Sequence, residues 1–380
     1  MARIAPGWLV DPATRAVMAA LAPARPLFVG GCVRDALLGR NSADVDIAVT
    51  SPPEETLRLA AAAGLGAHPT GIEHGVVTLV ADGRAFEAAT LRRDVATDGR
   101  RAVVAWTEDV AEDAARRDFT INALYADGDG RVIDPLGEGL ADIAARRLRF
   151  VGDPAARIAE DYLRILRFFR FHAVLEIEDM DPAGLAACLA AAEGLSHVSK
   201  ERIGAEMLKL LAAPDPEPAL AAMGAALTSA LRGAEPFTGL TAAERAVGEP
   251  PAPLRRLAAL GGGGVARALR LSRAESSRLD AIRAALCADQ SLAEAAYRHG
   301  ADATRDAALI RAARGAPPPA NWRPEIIRGA TVSFPVTASD LIAAGEAPGP
   351  ALGIRLRKLE NAWIASDFSA AKAELMIDHP

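Results

Sequence analysis

The sequence predicts an α+β protein: a small mixed sheet in the N-terminal part, followed by an all-helical remainder. Three observations carry this reading. Over the first 150 residues, short β-branched runs alternate with helical stretches. From about Ile158 onward strand signals nearly vanish, and helical periodicity broken by prolines takes over. Alanine-rich stretches such as Leu59–Ala63 and Leu185–Ala192, with aromatics at only 4%, point to much helix.

Taken in order, Pro26–Val29 reads as a strand, Val33–Leu38 as a short helix and Val45–Val49 as a second strand. Pro53–Ala63 reads as a helix. Val76–Val80 and Arg84–Thr90 read as strands separated by the turn Asp82-Gly83, and Arg131–Asp134 as another strand. Joints in the helical part are expected at Pro214–Pro218, at Pro250–Pro253 with Gly261–Gly264, and at Ala316–Pro319. No repeat of fixed period is present.

Composition narrows the class. The 380 residues are 51% hydrophobic and 24% charged, as expected of a globular rather than a disordered chain. No run of about 18 uncharged apolar residues exists, so neither a membrane span nor a membrane partner is expected. The N-terminal segment lacks the apolar core and cleavage site of a signal peptide. Cys32, Cys188 and Cys287 are too few and scattered for a zinc site or a disulfide scaffold, which fits a reducing cytoplasm. The net charge of −6 is unevenly spread: residues 251–380 carry 17 Lys and Arg against 13 Asp and Glu, the first 250 carry 26 against 36. All but four of the cations are Arg, which favours planar, bidentate contact with phosphate. A coding bias toward Arg and Ala would give the same count, so composition leaves the partner open.

The segment FVGGCVRDALLGRNSADVDIAV, beginning at Phe28, concentrates the chemistry. Gly30 and Gly31 follow a strand and open a helix, where backbone amides can approach a phosphate chain. Asp44 and Asp46 lie two apart in a strand and therefore share one face, while Val45, Ile47 and Val49 face the core. Adjacent carboxylates repel, and Mg²⁺ that also holds a triphosphate would relieve them. Alone, such a pair reads as a solvated strand end; after Gly-Gly and a helix it points to a metal site. Glu87, flanked by the small Ala85 and Ala89, is the candidate third carboxylate, its alternative being a solvent-facing edge acid.

Two further blocks carry polar groups at regular spacing. In the block beginning at Arg116, Arg117, Asp118 and Asn122 are expected on one helical face, with Phe119, Ile121 and Leu124 supplying packing. An Arg beside an Asp can hold a phosphate and a ribose hydroxyl together. An ordinary surface ion pair at a helix N-terminus is the alternative. In the block beginning at Glu160, Asp161, Arg164, Arg167 and Arg170 recur every three residues. They are expected as a stripe down one helix, anchored by Leu163, Leu166 and Phe169. A carboxylate and a guanidinium at 161 and 164 could accept from the amino group and donate to the ring nitrogen that cytosine and adenine share. Guanine and uracil present the reverse order. By itself the stripe also reads as a solvated face.

Together these blocks resemble the bacterial-type (class II) tRNA nucleotidyltransferase and poly(A) polymerase family of the DNA polymerase β superfamily. The resemblance rests on GGCVRDALLGR, DVD, FEAATLRRDVATDGRRAVV, EDAARRDFTINALYAD, DPLGEGLADI with LRFVGDP, and EDYLRILRFFRF, in order across about residues 27–171. SKERIGAEMLKLL resembles the family's neck, and the segment from Phe334 its tail. The resemblance implies a nucleotidyltransferase head over residues 1–150, a helical neck with the base reader over 151–215, a body over 216–330 and a tRNA-binding tail over 331–380. It implies stepwise addition of CCA to the 3′ acceptor end of tRNA from CTP and ATP, with Mg²⁺ and release of pyrophosphate. Asp44 and Asp46 would bind the metal, and Gly31 and Arg34 the nucleotide. Arg117, with Asp118 beside it, would contact ribose or phosphate. Asp161 and Arg164 would read the base, with Arg167 and Arg170 in support. Arg92, Asp98, Arg100 and Arg101 would belong to the flexible loop that helps switch from C to A. Poly(A) synthesis and partial CC or A addition are the alternatives within the family. A non-catalytic RNA-binding relative is the alternative outside it, but its expected signature, loss of an acid from DVD, is absent.

Overall fold

The computed structural model describes residues 2–42, 44–97, 102–287 and 289–378. The chain divides into two compact units, Met1–Glu235 and Pro236–Pro380. The fold is α+β as expected, with every strand among the described residues in the first unit.

The strands are β1 (Leu27–Val29), β2 (Asp46–Val49), β3 (Gly66–Gly71), β4 (Val76–Ala81), β5 (Arg84–Thr90), β6 (Arg92–Thr97), β7 (Ala102–Trp106), β8 (Tyr125–Ala126) and β9 (Val132–Ile133). Seven form a mixed sheet in the order β3-β4-β5-β2-β1-β8-β9, while β6 and β7 pair as a separate antiparallel ribbon. Within the large sheet β2 runs parallel to β5, and the other described pairs are antiparallel.

Side-chain alternation gives the sheet two buried faces. Val45, Ile47 and Val49 join Phe28, Val77, Leu79, Phe86 and Ala88 in the larger core. Ala48 points the other way, into a smaller cluster with Val29, Leu91 and Tyr125. Asp46, two residues before Ala48 on the same strand, therefore projects on the side away from the larger core.

The sequence reading overlooked β3, β8 and the β6–β7 ribbon. β3 contains two glycines and Pro69, residues tolerated at a sheet margin but depleted from strands, and its pairing with β4 slips between His68 and Gly71. β8 is two residues long and is paired on both sides, by β1 and β9.

In the second unit, helices enclose a fully buried ion network. Arg255 donates to Glu244 at 2.7 Å and to Asp306 at 2.8 Å, and Arg256 donates to Glu244 at 2.6 Å. A separate aromatic core gathers Trp363 with Phe334, Phe368 and Tyr297. No helix among the described residues is long and apolar enough to cross a membrane.

Candidate active site

Glu87 lies directly beside Asp46, because the parallel pairing of β2 and β5 sets the two residues in register. Asp44 is exposed just ahead of β2. Burial pushes the Asp46 carboxyl above its ordinary range; Glu87 and Asp44 add to that, and Arg117 opposes it. Asp44 and Glu87 thus press on the Asp46 charge, which Arg117 moderates. Among the described residues no group of three or more His, Cys, Asp or Glu side chains is placed to hold a metal ion by itself. One or two carboxylates completed by substrate phosphates are instead the usual donor set of a small hard divalent cation, and these acids fit that set.

Beside the acids is the glycine turn. Gly30 adopts φ 71°, open to glycine but strained for other residues, and caps the helix Gly31–Leu37. A Cβ on Gly30 would stand 3.5 Å from Arg117 Nη1, and one on Gly31 would stand 3.9 Å from Arg34 Nη2. Two guanidiniums therefore flank a turn kept free of side chains. Cys32, on the same helix, is buried among Val29, Val33 and Asp46, and burial raises its thiol to about 11, so it packs as an inert hydrophobe.

The structure corrects the expected helical face at 116–124. The helix Val110–Ala115 ends before it, Phe119 forms an antiparallel bridge with Phe150, and Thr120–Asn122 is a single 3₁₀ turn. Val151 N donates to Asp118 O and Thr120 N to Arg149 O, so long-range pairing displaces the helix. The polar residues nevertheless converge. Asn122 donates to Asp118 at 3.0 Å and accepts from Arg34 Nη1 at 2.7 Å, and Asp118 accepts from Arg167 Nε at 2.7 Å. Burial works against the Asp118 charge, yet Arg167 and Asn122 hold its carboxyl below the usual carboxylate range.

The expected four-residue stripe is corrected as well. Asp161 is not on the helix of Arg164: it ends the helix Pro154–Glu160 in an extended conformation, and its carboxylate accepts from Leu163 N at 3.1 Å. The next helix, Leu163–Leu175, carries Arg164, Arg167 and Arg170, with Leu163, Leu166 and Phe169 buried as expected. Asp161 pairs with Arg202 at 2.6 Å, while Arg164 donates to Glu160 at 2.5 Å and to Arg116 O at 3.0 Å. Arg170 donates to Glu206 at 2.5 Å. Arg92 opens β6, with its backbone N 3.2 Å from Asp113 Oδ1 and its Nη1 2.5 Å from His74 O. Asp98, Arg100 and Arg101 lie outside the described residues.

Two acids that organise the site escaped the sequence reading. Asp113 accepts from Arg117 Nη2 at 2.8 Å and from the Tyr125 hydroxyl at 2.6 Å, and it also pairs with Arg116. Glu206, from the helix Lys200–Leu211, pairs with Arg170 and Arg167. The spacing of Asp113 to Arg116 and Arg117 at i+3 and i+4 was the available signal for the first.

Comparison with known proteins adds to this geometry. Residues 27–149 match the family described as Poly A polymerase head domain, and residues 179–225 match that described as Probable RNA and SrmB- binding site of polymerase A. The likeness to poly(A) polymerase and CCA-adding enzymes is thus strongest in the head stretch that carries the acids and the glycine turn. The CCA-adding enzyme of Streptococcus gordonii is 48% identical over 189 residues, covering 49% of this chain and 46% of that protein. The mitochondrial CCA tRNA nucleotidyltransferase 1 of Danio rerio is 43% identical over 187 residues, covering 48% and 43% respectively. The matched stretch thus spans about half the length of these curated relatives. The crystal structure of the Bacillus stearothermophilus CCA-adding enzyme in complex with CTP superposes with a TM-score of 0.77 at 29% identity, over 94% of both chains. The family fold therefore extends well beyond the stretch of high identity.

Proposed function

We propose that this protein is a nucleotidyltransferase that adds CCA to the 3′ end of tRNA from CTP and ATP without a template. The observation that carries the reading is the gathering of acids and arginines by the glycine turn. The acids Asp46 and Glu87 stand side by side on β2 and β5 with Asp44 near them, and the guanidiniums of Arg34 and Arg117 flank Gly30 and Gly31, with Arg117 close enough to act electrostatically on Asp46. That arrangement suits a triphosphate bridged to the carboxylates by a divalent cation. The relatives named for CCA addition support the same reading.

Asp44 and Asp46 would hold Mg²⁺, with Glu87 as their neighbour. Bound there, the ion would supply charge neutralisation at the triphosphate and acidify the attacking 3′-hydroxyl. The chain itself does the positioning. Arg117 and Arg34 hold phosphate oxygens beside Gly30 and Gly31, where no side chain blocks approach. Asp118 and Asn122, fixed by Arg167 and Arg34, present acceptors and donors to the ribose. Asp161 and Arg164 read the base by exchanging Arg202 and Glu160 for its amino group and ring nitrogen, and Arg170 supports them. Attack on the α-phosphate in line with departing pyrophosphate then needs only alignment and charge stabilisation. Arg92 would belong to the segment that adjusts the pocket between C and A. The helical tail from residue 331 onward would meet the tRNA backbone without reading sequence, through cations such as Arg355, Arg357 and Lys358. Three unpaired cysteines fit a reducing cytoplasm.

The deciding experiment supplies a tRNA that ends before CCA, with CTP, ATP and Mg²⁺. Three discrete additions are expected. An open-ended A ladder would transfer the reading to poly(A) synthesis, and a stop after CC or after a single A would restrict it to a partial enzyme. No incorporation would overturn it.

A further inference from the structure

We propose that Phe171 is a positioning residue for nucleotide binding, a single ring on which three site arginines are registered. The inference rests on the function proposed above and names a residue that none of its motifs assigned a role. The guanidinium of Arg170 lies 4.0 Å from the ring centroid, that of Arg34 4.9 Å and that of Arg167 5.3 Å. All three distances are within cation–π range. Arg34 comes from the helix after the glycine turn, whereas Arg167 and Arg170 come from the helix Leu163–Leu175, so the ring ties together two elements distant in sequence.

The need for such a platform follows from the charges. Three guanidiniums around one ring repel one another. Each has a carboxylate partner: Asp35 for Arg34 at 2.8 Å, Asp118 for Arg167 at 2.5 Å and Glu206 for Arg170 at 2.5 Å. Ion pairs neutralise charge but leave long side chains several geometries. The ring adds a common reference for all three, and it is itself held. Phe171 is buried at 5% exposure, edge-on to Phe119 with centroids 5.6 Å apart, and Phe119 bridges Phe150. An incoming triphosphate would therefore meet arginines already oriented, which lowers the entropy lost on binding.

The test replaces Phe171 in the full chain with phenylalanines of increasing ring fluorination, which keep shape and burial while weakening and then reversing the ring quadrupole. CTP binding is measured by calorimetry without tRNA. The dissociation constant is expected to rise stepwise with fluorination, by about tenfold at the pentafluoro ring. In turnover with tRNA, KM for CTP should rise alike while kcat changes little. Phe171→Tyr, which keeps the π face, should stay near wild type, and Phe171→Leu should resemble the pentafluoro protein. A dissociation constant indifferent to fluorination would overturn the proposal, because a purely space-filling ring predicts that result. Wild-type protein that binds CTP but never extends tRNA would overturn the function and leave the fluorination series to decide Phe171. Wild-type protein that binds neither CTP nor ATP would overturn both.

Discussion

Asp113 holds two guanidiniums and a phenol on one buried carboxylate, and Arg117 beside the glycine turn depends on it. Burial would raise this acid, but Arg117, Arg116 and the Tyr125 hydroxyl outweigh that and hold it at about 2. A depressed folded-state value means that the unfolded chain takes up the proton first. The stability Asp113 contributes is therefore complete above about pH 4 and is lost as the pH falls toward 2. With ordinary aspartate near 3.8, the contribution is about 2 kcal/mol. Denaturant unfolding between pH 5 and pH 2.5 is expected to show a smaller acid loss in Asp113→Asn than in wild type. Parallel losses would mean that Asp113 does not supply it. Asp46 shows the opposite balance, with like charges around it and one opposing cation, as expected of a position that awaits a ligand's counter-charge.

At the scale of elements, the carboxylate pair and the glycine turn were legible because they depend on local geometry. Alternation along β2 sets which way Asp46 projects, and Gly30 supplies a positive φ. The blocks at 116–124 and 160–170 were legible in content and wrong in form. Both look helical by spacing, but Phe119 and Thr120 pair with the segment around Phe150, and Asp161 spends its carboxylate on Leu163 N. Aspartate competes well for nearby backbone amides, so a break is natural there, although spacing alone does not reveal it. In the second unit, the helices Leu292–His299 and Trp322–Thr331 approach so closely at Gly329 that a Cβ there would lie 1.9 Å from Ala293 O. Gly329→Ala must push the two helices apart and should destabilise the protein by about 1–3 kcal/mol, measured as a shift in denaturant midpoint. An unchanged midpoint would show that the helices part freely.

Across the whole molecule, charge is used in two ways. Residues 251–380 carry an excess of cations, as a phosphate-binding surface requires, yet Arg255 and Arg256 are fully buried against Glu244 and Asp306. Counting arginines therefore overstates the surface available to RNA. Glu244→Ala would leave two buried guanidiniums short of their shared counter-ion and should cost roughly 3–5 kcal/mol. Fluorescence of Trp322 and Trp363 follows unfolding of that unit, and a loss under 1 kcal/mol would mean that water reaches the arginines. By itself the sequence determined the α+β class, the acid pair, the glycine turn and the family resemblance of its first half, because strand alternation, turn chemistry and short motifs are local properties of the chain. Only the tertiary structure decided that Glu87 stands beside Asp46, that Glu206 holds Arg170, and that three arginines share one ring. Those relations arise where β2 meets β5 and where elements more than 30 residues apart pack together, and no spacing along the chain encodes such contacts.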